Sequence, residues 1–221
     1  MIYSPPLALY VHFPWCVKKC PYCDFNSHAM PREFNQMQYI QALIDDLDYQ
    51  LARFKPSKPL HSIFFGGGTP SLFRPDSLSL LLRNIAARFD YVNDIEITLE
   101  SNPGAVEHHD MGAYREAGIN RLSIGAQSFE PSKLKTLGRI HTPDDVYNCF
   151  NAARVGGYEN INIDLMFGLP DQNEDQALLD LETALGLEPE HLSLYQLTLE
   201  PNTVFHRYPP KLPDPDNVIG M

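Results

Sequence analysis

The chain lacks the features that direct a protein to a membrane or to nucleic acid. No apolar run approaches the roughly 20 residues of a bilayer-spanning helix, and the N-terminus shows no charged-then-apolar signal. Cations are scarce: 17 Lys and Arg against 28 Asp and Glu leave a formal net charge of −11. That balance argues against a nucleic acid or an anionic membrane as the main partner. Cysteine is scarce too, at four in 221 residues. A reducing, cytoplasmic location is the expectation, and there disulfides are not expected. What the chain does have is 43% hydrophobic residues, enough to bury a core and to argue against disorder.

Three of the four cysteines are clustered. Cys16, Cys20 and Cys23 are spaced Cys-x3-Cys-x2-Cys, directly after an apolar strand from Leu7 to Phe13. Their loop also carries Pro14, Trp15, Pro21 and Tyr22. Thiols this close in sequence converge on one metal or cluster, and Lys18 and Lys19 beside them favour deprotonation. Two chemistries stay open at this point. A zinc ion would recruit His12 or His28 as a fourth ligand. An iron–sulfur cube held by three cysteines would leave one iron open to a small molecule. Cys149, among apolar neighbours on a predicted helix, reads as a small buried hydrophobe.

Beyond this loop, helical and strand patterns alternate. Apolar residues from Phe34 to Phe54 recur at three- and four-residue steps, as on one helix face. Strands are predicted at His61–Phe65, Ile95–Leu99, Arg121–Gly125, Asn160–Met166 and His191–Leu197. Helices are predicted from Asp76 to Phe89, over Glu107–Ala117 and Pro131–Leu137, from Thr142 to Gly156, and over Glu174–Leu187. Thr142-Pro143-Asp144-Asp145 is a helix start with a capping hydroxyl, a first-turn proline and acids at the positive dipole end. Leu178, Leu181 and Leu185 are expected on one face of the last helix, and His108-His109 on a helix surface. From Pro201 onward the prolines predict an extended segment. The expectation is a core over residues 1–200, with residues 201–221 leading to a C-terminal domain beyond this chain.

Six strands alternating with helices imply parallel pairing through right-handed crossovers. An open doubly wound sheet and an incomplete barrel of about six units both fit, and eight units are excluded by the count. In either, ligands bind at the carboxyl ends of the strands. The cysteine loop, Gly66-Gly67-Gly68-Thr69-Pro70, Glu100, Gln127, Asp164 and the stretch Tyr195–Thr198 all fall there. Asp164 stands between Ile163 and Leu165, where a buried acid needs a partner.

The segments YVHFPWC, CPYCDF, FFGGGTPS, ESNPG, GAQSF, LGRIH, NIDLMFGLP and LSLYQL occur in this order. Together they resemble the radical S-adenosylmethionine enzymes, within the group of the oxygen-independent coproporphyrinogen III oxidases and the related heme chaperones. The resemblance implies an α/β fold, an incomplete (β/α)6 TIM-like barrel of parallel strands. It implies a [4Fe-4S] cluster on Cys16, Cys20 and Cys23, with S-adenosyl-L-methionine chelated to the open iron. Electron transfer would cleave the sulfonium to a 5′-deoxyadenosyl radical. Gly67, Gly68 and Thr69 would hold the methionine part. Tyr10, Tyr22, Glu100, Gln127, Arg139 and Asp164 match other binding positions, with Thr198 as a further carry-over. Arg139 suits a carboxylate. No catalytic residue is assigned.

The oxidase branch carries a fourth cysteine in a Cys-x-Cys ending and a long extension before the motif. Here Phe25 stands at that cysteine's place, and fifteen residues precede Cys16. The pattern is similar to the heme-chaperone branch, which implies heme as cargo, respiratory proteins as acceptors and an electron donor. Whether the chain is an enzyme stays open at this point, with oxidase activity not expected. The alternatives are the porphyrinogen-decarboxylating oxidase and a structural zinc scaffold.

Overall fold

The computed structural model describes residues 5–105 and 111–214. Six strands form one sheet: β1 (Leu7–Phe13), β2 (Leu60–Gly67), β3 (Tyr91–Ser101), β4 (Arg121–Gln127), β5 (Ile161–Phe167) and β6 (His191–Gln196). Every neighbouring pair is parallel, and the order across the sheet is the order along the chain. A doubly wound sheet would reverse its strand order at a switch point. Adding each strand on the same side is the barrel pattern. The fold is therefore a six-unit arc of a parallel α/β barrel, with β1 and β6 at its edges.

The helices are α1 (Gln36–Phe54), α2 (Pro75–Ala86), α3 (Met111–Glu116), α4 (Pro131–Thr136), α5 (Pro143–Val155), α6 (Glu174–Leu185) and α7 (Val204–Arg207). Their starts follow local chemistry. The Asn35 side chain accepts from the Gln38 N–H, and Thr142 and Asp145 form a reciprocal capping box. Lys55 ends α1 in the left-handed region at φ 46°. The outer face of the sheet carries Val11, Phe13, Ile63, Phe65, Ile97, Leu99, Leu122, Ile124, Ile161, Ile163 and Leu165, all buried. They pack with Ile40 and Ile44 of α1, Leu78, Leu81 and Ile85 of α2, and Val146 and Phe150 of α5. Because side chains alternate along a strand, the residues between them turn inward: Tyr10 and His12, Phe64, Thr98 and Glu100, Ser123 and Gly125, Asn162 and Asp164, Ser193. The concave face is mostly polar.

The leucine face of α6 turns largely outward, and one expectation, the extended proline segment, changes. Leu178 and Leu185 of α6 are 41% and 54% exposed, whereas Asp180 and Ala184 are buried. Asp180 is drawn inward because its carboxylate accepts from the Ser128 hydroxyl and the Phe129 N–H, each at 2.6 Å. Within the proline-rich segment, one helical turn forms at Val204–Arg207, where the Thr203 hydroxyl accepts from the His206 N–H at 3.1 Å. The start of the helix expected from Glu107, with His108-His109, lies outside the described residues, as does the chain end from Pro215.

The segment after β6 turns back onto the cysteine loop. Leu197, Phe205 and partly buried Leu212 join Leu137, Met166, Leu169 and Tyr22 in a second apolar cluster. The Phe205 N–H donates to the Pro21 carbonyl at 3.0 Å. Gly138, at φ +70°, comes so close to Pro21 that an added Cβ would lie 2.7 Å from its Cδ.

Asp180→Ala would leave two donors unpaired under the β4–α4 connection. A loss of about 3 kcal/mol in urea unfolding is expected, against about 0.5 kcal/mol or less for the exposed Leu179→Ala.

Candidate functional site

The cysteine loop is pinned at both ends. Trp15–Cys16 pairs with His28–Ala29 as a two-residue parallel bridge. The His28 N–H donates to the Pro14 carbonyl at 2.7 Å, and the Met30 N–H to the Cys16 carbonyl at 2.8 Å. Trp15 packs edge-on against Phe34, at 5.4 Å between ring centroids. Between these anchors the three thiols are unpaired and partly buried. Each sulfur faces a polar neighbour. Burial raises the Cys16 pKa, and the Thr69 and Ser27 hydroxyls oppose that rise. Cys20 accepts from Arg139 Nη1 at 3.7 Å. Cys23 Sγ lies 3.7 Å from the Ser27 Oγ, a side chain only 1% exposed. Lys19, expected to act on the thiols, donates instead to the Phe25 carbonyl at 2.9 Å.

This geometry bears on which inorganic group the cysteines suit. Among the described residues, no three His, Cys, Asp or Glu side chains are grouped to hold one metal ion. His12, proposed above as a fourth zinc ligand, has both ring nitrogens engaged: Nδ1 with the Tyr10 hydroxyl at 3.0 Å and Nε2 with the Asn26 carbonyl at 2.8 Å. His28 Nε2 pairs with the Asn26 Oδ1 at 3.1 Å. A single zinc ion needs four donors closed around one centre. A cube spreads three thiolates over three irons. The three sulfurs and their polar neighbours fit the cube.

Next to the loop lies the end of β2. The Gly68 N–H donates to the Phe13 carbonyl at 2.6 Å, and a Cβ on Gly68 would stand 2.6 Å from the Trp15 carbonyl oxygen. Gly67 has φ +116°, and a Cβ there would meet the His12 ring at 2.6 Å. Side chains are thus excluded where the glycine turn meets the cysteine loop. The Gly67 N–H donates to Glu100 Oε2 at 3.0 Å. Burial first, and the nearby Asp164 second, push the Glu100 carboxyl up to about 7, against the lowering effect of that hydrogen bond.

Asp164 answers its expected need for partners. Its Oδ2 accepts from the Ser123 hydroxyl at 3.0 Å and its Oδ1 from Asn162 Nδ2 at 2.8 Å. Asn162 also donates to Ser123 at 2.8 Å and accepts from Ser193 at 3.0 Å, which links three strands. Burial raises the Asp164 pKa, opposed by these donors.

Gln127 ends β4 at φ 69°, a left-handed conformation for a non-glycine residue, of the kind that concentrates at functional sites. Arg139 Nη2 donates to the Gly125 carbonyl at 2.8 Å, while its Nε is buried without a partner. Tyr10 is 57% exposed and stacks on Phe64, at 6.2 Å between ring centroids. Tyr22 packs toward Phe205, and burial foremost raises its pKa. Thr198 stays exposed and contacts the Gln196 carbonyl at 3.5 Å. Cys149 is buried, with its thiol pushed up to about 12 by desolvation, as suits an inert core residue. Ser27, Ser123, Asn162 and Ser193 were not singled out in the sequence. The alternation Asn162-Ile163-Asp164 is the one local signal that pointed inward.

A parallel partial barrel with a three-cysteine loop after its first strand defines a class of cofactor-binding α/β proteins. The family model described as Radical SAM superfamily matches residues 10–184. This chain belongs to the radical SAM superfamily. It is 53% identical to the heme chaperone HemW of Haemophilus influenzae, over 96% of this chain and 56% of that protein. It is 50% identical to the Escherichia coli heme chaperone HemW, over 98% of this chain and 57% of that protein. The chain thus spans a little over half the length of these relatives. Among solved structures, coproporphyrinogen III oxidase (HemN) from Escherichia coli, described as a radical SAM enzyme, superimposes with a TM-score of 0.85 at 29% identity, over 97% of this chain and 50% of that one.

Glu100 gives a testable pH signature. Its folded pKa lies above the unfolded value, so its contribution is fully present below about pH 4.5 and is lost as pH rises through about 7. Glu100→Gln should therefore match the wild type near pH 4.5 and be more stable, by about 3 kcal/mol, at pH 8. Urea unfolding at several pH values measures the difference.

Proposed function

We propose that this chain is the S-adenosylmethionine-binding core of a heme chaperone. Cys16, Cys20 and Cys23 hold a [4Fe-4S] cluster, and S-adenosyl-L-methionine occupies the open iron. The observation that carries the reading is the junction of the cysteine loop with the glycine turn. There, three sulfurs with polar neighbours lie beside a backbone surface that admits no side chain. The bound group would supply one-electron chemistry at the sulfonium. The chain's own part is to seat, orient and shield. Gly67, Gly68 and Thr69 offer backbone approach to the methionine end. Gln127 and Arg139 lie toward the carboxylate, and Glu100, Asp164 and Tyr10 line the inner face for the rest of the ligand. Tyr22 backs the loop. A second ligand contact is proposed at Thr198.

Heme as the cargo, respiratory proteins as acceptors, a separate electron donor and a cytoplasmic setting belong to the same proposal. No described helix is long and apolar enough to cross a membrane, and the described cysteines form no disulfides. Support for the chaperone branch over the oxidase comes from Phe25. It stands where the oxidases carry a further cysteine, and it is 58% exposed. The higher identity to the chaperones than to the oxidase points the same way. The core is taken as residues 1–200, with 201–221 leading toward a further domain.

Anaerobic reconstitution should yield four irons and four sulfides per chain and a reduced cluster whose EPR spectrum changes on adding S-adenosylmethionine. Cys20→Ser should abolish it. A colourless protein with one zinc per chain would sink the proposal. Heme added to the longer protein that contains this sequence should give a saturable absorbance change. Decarboxylated product from coproporphyrinogen III would transfer the assignment to the oxidase.

A further inference from the structure

The neighbours of the three sulfurs carry an inference that rests on the proposed cluster and goes beyond it. Arg139 was expected to meet a ligand carboxylate. In the structure its Nη1 donates to Cys20 Sγ at 3.7 Å while its Nη2 is held on the Gly125 carbonyl at 2.8 Å. The backbone bond fixes the orientation of the guanidinium, and the left-handed turn at Gly138 places the residue there. On the other side, the Ser27 Oγ lies 3.7 Å from Cys23 Sγ, and the Ser27 and Thr69 hydroxyls both oppose the burial-driven rise in the Cys16 pKa. Ser27 is held rigidly: it is 1% exposed, and its N–H donates to the Phe25 carbonyl at 2.7 Å.

We propose that Arg139 and Ser27 set the reduction potential of the cluster by donating hydrogen bonds to its cysteine sulfurs. Adding one electron makes the cluster and its thiolates more negative. Donors and a fixed positive charge at the sulfurs stabilise the reduced form more than the oxidised one, which raises the potential. Arg139 brings both a full charge and an N–H bond to Cys20, and charge-assisted bonds are about twice as strong as neutral ones. Ser27 brings no net charge, but its own side chain is almost fully buried, which fixes its hydroxyl beside the sulfur. In this role the two are tuning residues, which act on the cluster through its cysteines.

The test is a potentiometric titration of the reconstituted protein, read by EPR and absorbance, without S-adenosylmethionine. Dithionite supplies the electrons. Ser27→Ala and Arg139→Gln should each lower the ratio of reduced to oxidised cluster about tenfold at a fixed ambient potential. For a one-electron couple this is a shift of about 59 mV to more negative values. Arg139→Lys, which keeps the charge but loses the fork held on Gly125, should fall between wild type and Arg139→Gln. Cys149→Ala, remote from the loop, should leave the potential unchanged. If Arg139→Gln fails to hold a cluster, Ser27→Ala and Arg139→Lys carry the decision. Potentials within error of wild type in the variants that retain a full cluster overturn the inference and leave the cluster assignment standing. Failure of the wild type to assemble any cluster removes that assignment instead.

Discussion

A parallel sheet covered by helices on one face and curved around its own concavity on the other must satisfy every polar group it turns inward. In most such sheets the strands are apolar on both faces. Here the inner row carries Thr98, Glu100, Ser123, Asn162, Asp164 and Ser193, and their bonds run across the strands. That choice has a cost, visible in the raised Glu100 carboxyl. The outer face must supply the stability. Its apolar positions are buried almost completely, and Phe13, Ile63, Phe65, Leu99, Leu122, Ile124, Ile161 and Ile163 have no exposed surface at all. The division of labour between the two faces is what allows a chemically equipped concave face to exist in a fold of this length.

The parts of this arrangement that could be read from sequence are those where one residue type permits a single geometry. Gly67 and Gly68 are such a case, since the His12 ring and a positive φ bar a side chain at the first and the backbone around Pro14 and Trp15 fills the Cβ space at the second. The Thr142 capping box is another, and the alternation of apolar runs revealed the strands. What could not be read depended on partners far away in sequence. Asp180 looks like a surface acid on a leucine-bearing helix until Ser128 and the Phe129 N–H are seen to claim it from 52 and 51 residues away. Ser27 is an ordinary loop serine until the fold buries it beside the Cys23 sulfur. The turn at Val204–Arg207 was masked by surrounding prolines, because its capping threonine and its docking on Pro21 are single, scattered residues.

The cysteine loop is held from four directions, and each restraint comes from a different part of the chain. The bridge to His28–Ala29 closes its base, and the Gly68 N–H ties β2 to the strand entering it. Gly138 presses on Pro21, and the Phe205 N–H holds the Pro21 carbonyl. Loop residues bearing chemistry are normally the mobile part of a barrel. Restraining them this fully keeps three sulfurs in place before any inorganic group is present, so less ordering remains to be done on binding.

Charge is distributed unevenly across the same concave face. The guanidinium of Arg139 stands at the sulfur end, and Glu100 and Asp164 stand together on the inner wall. A ligand carrying a carboxylate together with a sulfonium or ammonium group matches this polarity. The match has a consequence for protonation. A carboxyl poised at about 7 by burial and by a neighbouring acid is neutralised equally well by a proton or by a cation placed beside it. A cationic ligand would therefore displace the proton from Glu100. The wall that is destabilised at neutral pH without ligand would be satisfied by such a ligand.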